Sequence, residues 1–255
     1  TYKEPVTIFI KAGVYKEKLL LDSTRSNIEL LGENKFTTIL TWNDHSGKLS
    51  PAGDTIRTST SQSFLMKASD FTAKNITFEN TAGPTAGQAV AIQVFGDRAI
   101  FKNCRFVGDQ DVLFTINPES RQYYEDCYIE GTTDFIFGAS TAWFENCHIH
   151  SKKNSYVTAA STPQAHAYGY IFNDCRLTGD TALNNVALGR PWRPYSSVTF
   201  INWYLDRHII PAGWNNWRNE ANEKTARYSE YHSYGPGANA AARVKWSKQL
   251  SPEEM

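Results

Sequence analysis

Six times along the chain an Asn or Asp is followed by a core-type residue, one variable residue, and then an aliphatic residue or Phe. The copies are Asn75-Ile76-Thr77-Phe78, Asn103-Cys104-Arg105-Phe106, Asp126-Cys127-Tyr128-Ile129, Asn146-Cys147-His148-Ile149, Asp174-Cys175-Arg176-Leu177 and Asn202-Trp203-Tyr204-Leu205. The copies recur every 20 to 28 positions, and an earlier echo, Asn27-Ile28-Glu29-Leu30, lies about two periods before Ile76. Within each copy the alternation has period two, and Gly, Asn and Asp interrupt it. The pattern therefore predicts short strands and disfavours a helical repeat. Strands recurring at solenoid spacing, with irregular insertions between them, predict an all-β chain wound as a single-stranded parallel β-helix, each coil packing on its neighbours.

That architecture has consequences for the rest of the sequence. Four cysteines, Cys104, Cys127, Cys147 and Cys175, occupy the same point of successive coils. Neighbouring strands lie roughly 4.7–4.9 Å apart, within disulfide range, but the expectation is a buried ladder of free thiols. With 255 residues, 41% of them hydrophobic, and no linker-like stretch, residues 1–255 read as one elongated domain. Both ends look shortened. Thr1 is not a start methionine and a strand-like run, Val6 to Ile10, begins almost at once, while Ser251-Pro252-Glu253-Glu254 reads as an N-cap, a proline at N1 and a capping-box Glu that open a helix. Lys and Arg balance Asp and Glu at 26 each. Net charge thus gives no reason to expect nucleic acid, and an acidic ligand has to be read locally. No apolar run has the length of a membrane span, and no signal peptide precedes the first strand.

A second repeat carries the chemistry. Gly108-Asp109-Gln110-Asp111-Val112-Leu113-Phe114 and Gly131-Thr132-Thr133-Asp134-Phe135-Ile136-Phe137 share the pattern Gly-x-x-Asp-x-aliphatic-Phe, and in both copies a cysteine precedes the Asp at the same distance. Asp111 and Asp134 are therefore expected on adjacent coils and the same face, with backbones about 5 Å apart. Two carboxyls that close do not both ionise freely: one keeps its proton while the other, beside a cation, stays charged. Gln88 precedes Asp111 by the same interval that separates Asp111 from Asp134, which suggests one column of Gln88, Asp111 and Asp134 with an amide placed for an oxyanion. Turn aspartates and solubility ladders are the plainer account of a single Asp, but two in-register copies argue against it. An aspartate that attacks an ester must be the anion, and Arg190, in Leu188-Gly189-Arg190-Pro191-Trp192, is the candidate cation; the alternative is a structural Arg in a Gly-Arg-Pro turn.

These segments resemble a known family, the pectin methylesterases. Gly108 to Asp111, Gly131 to Gly138 and Leu188 to Trp192 look like its three signature segments, and Asn80-Thr81-Ala82-Gly83-Pro84 through Gln88-Ala89-Val90-Ala91 looks like a fourth. The likeness runs from Ile8 to beyond Tyr231. The resemblance implies a right-handed parallel β-helix that hydrolyses C6 methyl esters of galacturonate units in pectin, with no metal and no cofactor. By matching position, Asp134 would be the nucleophile and Asp111 the acid that protonates methanol and then the base that activates water. Gln110, together with Gln88, would stabilise the oxyanion, Arg190 would hold Asp134 ionised, and Trp192 would form part of the sugar-binding wall. Thr55 falls where the family places a substrate-contacting threonine. Phe114 and Phe137 sit at equivalent places; one is expected to pack inward, and Phe137 is assigned to the cleft. The family also implies a protein that meets pectin outside the cell, in a cell wall or extracellular space, or in a Gram-negative periplasm; a capped solenoid is expected to be a monomer, and charge and hydropathy point to neither nucleic acid nor membrane as partner.

Asp109 departs from the family pattern. On an extended strand it shares a face with Asp111, adding a third negative charge or else facing solvent. His148 and His150 alternate with core positions and face outward without a third zinc ligand in view. Gly138-Ala139-Ser140-Thr141-Ala142 fails the Gly-x-Ser-x-Gly pattern at its last position, so a serine hydrolase is unsupported. Asn75-Ile76-Thr77 is a glycosylation sequon whose Ile76 reads as core. Two rival functions share the fold: a polygalacturonase-like hydrolase that uses both carboxylates on a glycosidic bond, and a non-catalytic carbohydrate-binding solenoid.

Overall fold

The computed structural model describes residues 4–254. Its strands join three parallel sheets of ten, eight and seven strands, and each coil except those at the C-terminal end contributes one strand to each sheet in turn. One coil runs through Ala99–Lys102, Arg105–Val107 and Leu113–Thr115; the next runs through Arg121–Glu125, Tyr128–Gly131 and Ile136–Gly138. Arg105 pairs with Tyr128 and Leu113 with Ile136, so the interval between the two aspartate segments is one turn of a parallel β-helix. Among the described residues the helical segments are short 3-10 turns, the last being Pro252–Glu254, where the Ser251 N–H donates to Glu254 Oε2 at 3.1 Å as the capping reading expects.

The Asn/Asp repeat is the corner between the first and second strands of each coil. Asn27, Asn75, Asn103, Asp126, Asn146, Asp174 and Asn202 all have φ between 49° and 61°. That left-handed region disfavours most L-residues, and Asn and Asp tolerate it best after Gly. The corner side chains also bond to one another along the stack: Asn103 Nδ2 donates to Asn75 Oδ1 at 2.7 Å and Asn146 Nδ2 to Asp126 Oδ1 at 2.6 Å. The next residue points inward in every copy, so Ile76, the four cysteines and Trp203 are buried, and all four thiols are free. Aromatic rings continue the ladder inside the solenoid. Tyr124 stacks on Phe101 at 5.0 Å and on Phe144 at 4.6 Å, and Phe144 stacks on Phe172 at 4.3 Å.

The seven-stranded sheet is different because, beyond its first two strands, it is largely buried on both faces. Leu113–Thr115, Ile136–Gly138 and Ala187–Gly189 have no exposed residue. Inward-facing Leu113, Ile136 and Leu188 join the main core, while Phe114, Phe137 and Ala159, in register on the outer face, form a separate apolar cluster with Val90, against which Trp192 and Trp217 pack. This outer cluster is the floor of the site.

Candidate active site

Asp111 and Asp134 precede the strands Leu113–Thr115 and Ile136–Gly138 at the same level, and both have positive φ, 66° and 49°. The conformation turns their side chains out over the apolar floor. Gly131 explains the glycine of the repeat: a Cβ there would lie 2.3 Å from the Phe135 Cβ and 2.7 Å from the Asp109 carbonyl oxygen. Backbone bonds fix the level of each Asp, with Asp111 N–H donating to the Thr133 carbonyl at 3.1 Å and Asp134 N–H to that of Tyr156 at 2.8 Å.

Arg190 is delivered by the strand Ala187–Gly189, two coils beyond Asp134. Its strand approaches so closely that a Cβ on Gly189 would lie 2.0 Å from Thr158 Oγ1, and the Arg190 N–H donates to the Thr158 carbonyl at 2.9 Å. Arg190 Nε and Nη2 donate to the two oxygens of Asp134 at 3.0 and 2.6 Å, a bidentate fork. The guanidinium is held flat between the rings of Tyr156, 3.9 Å away, and Trp217, 3.7 Å away.

The two carboxyls are electrostatically unequal. Burial drives the Asp111 carboxyl well above the usual carboxylate range and the charge of Asp134 drives it further, against weaker opposition from Arg190 and a hydrogen bond with Gln110. Asp134 is also pushed up by burial, but the Arg190 hydrogen bonds and charge pull it back. Asp134 therefore ionises first and Asp111 holds the proton.

Both open onto one cavity of about 390 Å³, lined also by Gln88, Gln110, Phe114, Phe137, Arg190, Trp192 and Trp217. Seven of the eight expected site residues thus meet at one place. Thr55 does not: it is exposed and lines a neighbouring depression with Lys48 and Leu49, while Arg57, Thr58 and Ser59 of the same loop reach the cavity.

Two expectations are corrected. Gln88 pairs with Gln110, and Gln110 with Thr133, so the column is Gln88, Gln110 and Thr133, one residue out of step with the Asp pair. The step from Gln88 to Gln110 is one residue shorter than that from Leu113 to Ile136, because the upstream coil is shorter through this turn. Asp109 adds no charge to Asp111. The positive φ of Asp111 breaks the extended run, and Asp109 is buried on Lys152 Nζ at 3.0 Å, which also donates to the Gly108 carbonyl at 2.7 Å.

A sequence profile described as Pectinesterase matches residues 1–254. The chain belongs to the pectinesterase family. It is thereby a carboxylic ester hydrolase. It is 41% identical over 252 residues to Pectinesterase 31 of Arabidopsis thaliana, an alignment covering 97% of this chain and 79% of that protein. It is 39% identical over 250 residues to Putative pectinesterase 11 of the same plant, covering 97% and 66%. Among solved structures, pectin methylesterase from carrot superposes with a TM-score of 0.89 at 32% identity, covering 98% of this chain and 80% of that one. A pectin methylesterase in complex with a hexasaccharide superposes with a TM-score of 0.87 at 30% identity, covering 98% and 85%.

Sequence reasoning missed four contributors to this pectinesterase-family site. Phe114 stacks on Phe137 at 4.2 Å, so neither ring packs into the solenoid interior. Its equivalence to Phe137 in the repeat is the signal that marks it. Tyr156 and Trp217 clamp Arg190 from positions outside both repeats, and nothing local marks them. Lys152 is equally silent. His148 and His150 face outward as expected, bonded to Thr178 Oγ1 at 2.8 Å each, and among the described residues no group of His, Cys, Asp or Glu is arranged to hold a metal ion.

Proposed function

We propose that this enzyme removes methyl esters from the galacturonate units of pectin, with Asp134 as nucleophile and Asp111 as acid and base. The observation that carries the reading is the pairing of an Arg-clamped carboxylate with a second, proton-retaining carboxyl one coil away over the same apolar cavity. An Asp134 oxygen attacks the ester carbonyl carbon, and the carbonyl electrons move to oxygen, where the side-chain amides of Gln110 and Gln88 are placed to receive the charge. As the tetrahedral centre collapses, the C–O bond to the methoxy group breaks and the Asp111 proton passes to that oxygen, releasing methanol. Asp111, now anionic, takes a proton from water, whose oxygen attacks the acyl-enzyme. The second tetrahedral centre collapses with cleavage of its bond to the Asp134 oxygen, which regenerates the Asp134 carboxylate beside a protonated Asp111, and the galacturonic acid group released gives its remaining proton to solvent. Phe114, Phe137 and Trp192 offer flat apolar faces to a pyranose ring. A relative solved with a hexasaccharide supports an oligosaccharide in this cleft. Pectin is extracellular, so the enzyme is expected to act outside the cell.

The test measures methanol beside new reducing ends on highly methyl-esterified pectin. Methanol without new ends is the expected result, and new ends without methanol would reverse the assignment to glycosidic cleavage. Asp134→Asn and Asp111→Asn should each lose about 10³-fold or more in kcat while folding normally. Undiminished methanol release by either variant removes its Asp from the mechanism. The rate should rise with pH as Asp134 ionises and fall as Asp111 loses its proton, the two limbs belonging to the coupled pair.

A further inference from the structure

We propose that a groove on the outside of the eight-stranded sheet, on a different face from the Asp111–Asp134 cavity, binds de-esterified polyuronate. The proposal rests on the esterase reading for the source of its ligand, since the anionic polymer is the product. The groove has a volume of about 680 Å³. Its wall is a register column in which Arg105 pairs with Tyr128, Tyr128 with His148, and His148 with Arg176. At a spacing of about 4.8 Å per strand the two arginines stand about 14 Å apart along the solenoid, a span that one ligand can bridge if its anionic groups repeat along a chain.

Cations and flat rings alternate along this column. The Arg105 guanidinium lies 5.3 Å from the Phe36 ring centroid and 5.4 Å from that of Tyr128, and the His148 ring meets Tyr128 edge-on at 5.1 Å. Phe36 and Tyr234, at the two ends, are 63% and 57% exposed, so these rings contribute little to the core. Arg105 and Arg176 form no ion pair among the described residues: Arg105 reaches only the Thr77 hydroxyl at 3.4 Å, and Arg176 donates to His148 Nδ1 at 3.0 Å. Accepting that bond keeps His148 neutral, so the positive charge of the groove is the two guanidiniums and the ammonium of Lys35, which is held on Asn103 Oδ1, against the carboxylates of Asp126 and Asp174.

The opposite wall is the corner ladder. Its Asp126 and Asp174 already accept amide hydrogens from Asn146 and Asn173 and retain lone pairs for sugar hydroxyls. Guanidiniums for carboxylates, ring faces for the C–H faces of pyranoses and carboxylates for hydroxyls match the three kinds of surface a polyuronate presents. A neutral glucan would leave both arginines unused, and a fully esterified pectin offers them no anion.

Calorimetry with short unesterified oligogalacturonate tests this. The expected result is two oligosaccharides per protein, falling to one in Arg105→Ala/Arg176→Ala, with salt weakening the lost site. Methanol release from a short methyl-esterified oligomer should stay within about twofold of the parent. Arg105→Lys/Arg176→Lys, which keeps the charge, should retain the second site at about tenfold lower affinity. In affinity gels the parent should be retarded more by polygalacturonate than the Ala variant is, and dextran should retard neither. One oligosaccharide per parent molecule, an unchanged stoichiometry in the Ala variant, or equal retardation by dextran overturns the groove. A parent that binds two oligosaccharides but releases no methanol overturns the esterase reading and leaves the groove standing.

Discussion

Arg190 has the planar guanidinium its position demands: it forks onto both oxygens of Asp134 while stacked between two rings. Lysine keeps the charge but has neither the fork nor the flat face. Arg190→Lys should therefore lower kcat by about 10²-fold and move the acid limb of the pH–rate profile upward, because burial of Asp134 is less opposed. A profile shifted downward would contradict the assignment. Asp111 yields a second expectation through linkage. Its carboxyl is raised in the folded state, so the stability it contributes is complete below the ordinary carboxylate range and is lost as pH rises through the folded value. Asp111→Asn cannot titrate and Asn accepts the positive φ. The variant should melt above the parent at neutral and alkaline pH, by about 2–4 °C for each kcal/mol recovered, and the gap should close in acid. Melting curves across pH decide it. At this scale the Asp pair is legible in the sequence because both aspartates sit at one point of one repeat. Asp109 misleads for the same reason that Asp111 is useful: the αL conformation of Asp111 itself breaks the alternation from which a shared face is inferred.

The corners show which elements a linear pattern can expose. Asn or Asp recurs because the backbone there is left-handed, and the following strand alternates because its outer face meets solvent. Both signals are local, so seven corners are legible in the sequence alone. The strands of the seven-stranded sheet that underlie the site carry no such signal. Three residues buried on both faces have no alternation to read, and their outer face is covered by aromatics from distant segments, Trp192 and Trp217 among them. The register of Gln88 is hidden because coil length varies, and counting along the chain cannot locate where a shorter coil loses a residue. The corner account is testable at Asn146, with φ 49° and a side chain bonded to Asp126. Asn146→Gly loses the amide bond but keeps the backbone conformation, whereas Asn146→Ala also carries a left-handed cost of about 1–2 kcal/mol. Thermal stability should fall in the order Asn, Gly, Ala; Ala equal to or above Gly would show that the ladder bond, not the turn, selects the residue.

At the scale of the molecule, the site depends on how faithfully one coil is stacked on the next. Asp111, Asp134 and Arg190 come from three different coils, and between the coil of Asp134 and that of Arg190 lies one whose interior ring is Phe144. Phe144 is fully buried and stacks on Tyr124 at 4.6 Å and on Phe172 at 4.3 Å, linking the ring columns above and below. Phe144→Ala should cost about 3–5 kcal/mol through lost burial and an incompletely filled cavity. Its effect on catalysis is expected to be much smaller. The bond from the Arg190 N–H to the Thr158 carbonyl, and that from the Asp134 N–H to the Tyr156 carbonyl, belong to the sheet on the other side of the coil, and they tie the two groups to one intervening strand irrespective of the ring column. Well below its melting temperature, the variant should keep kcat within about tenfold of the parent. Measuring methanol release and melting on the same sample separates the two effects. A kcat that collapses while the protein remains folded would mean that the aromatic column sets the spacing of Asp134 and Arg190, and that the backbone ladder alone does not hold the fork.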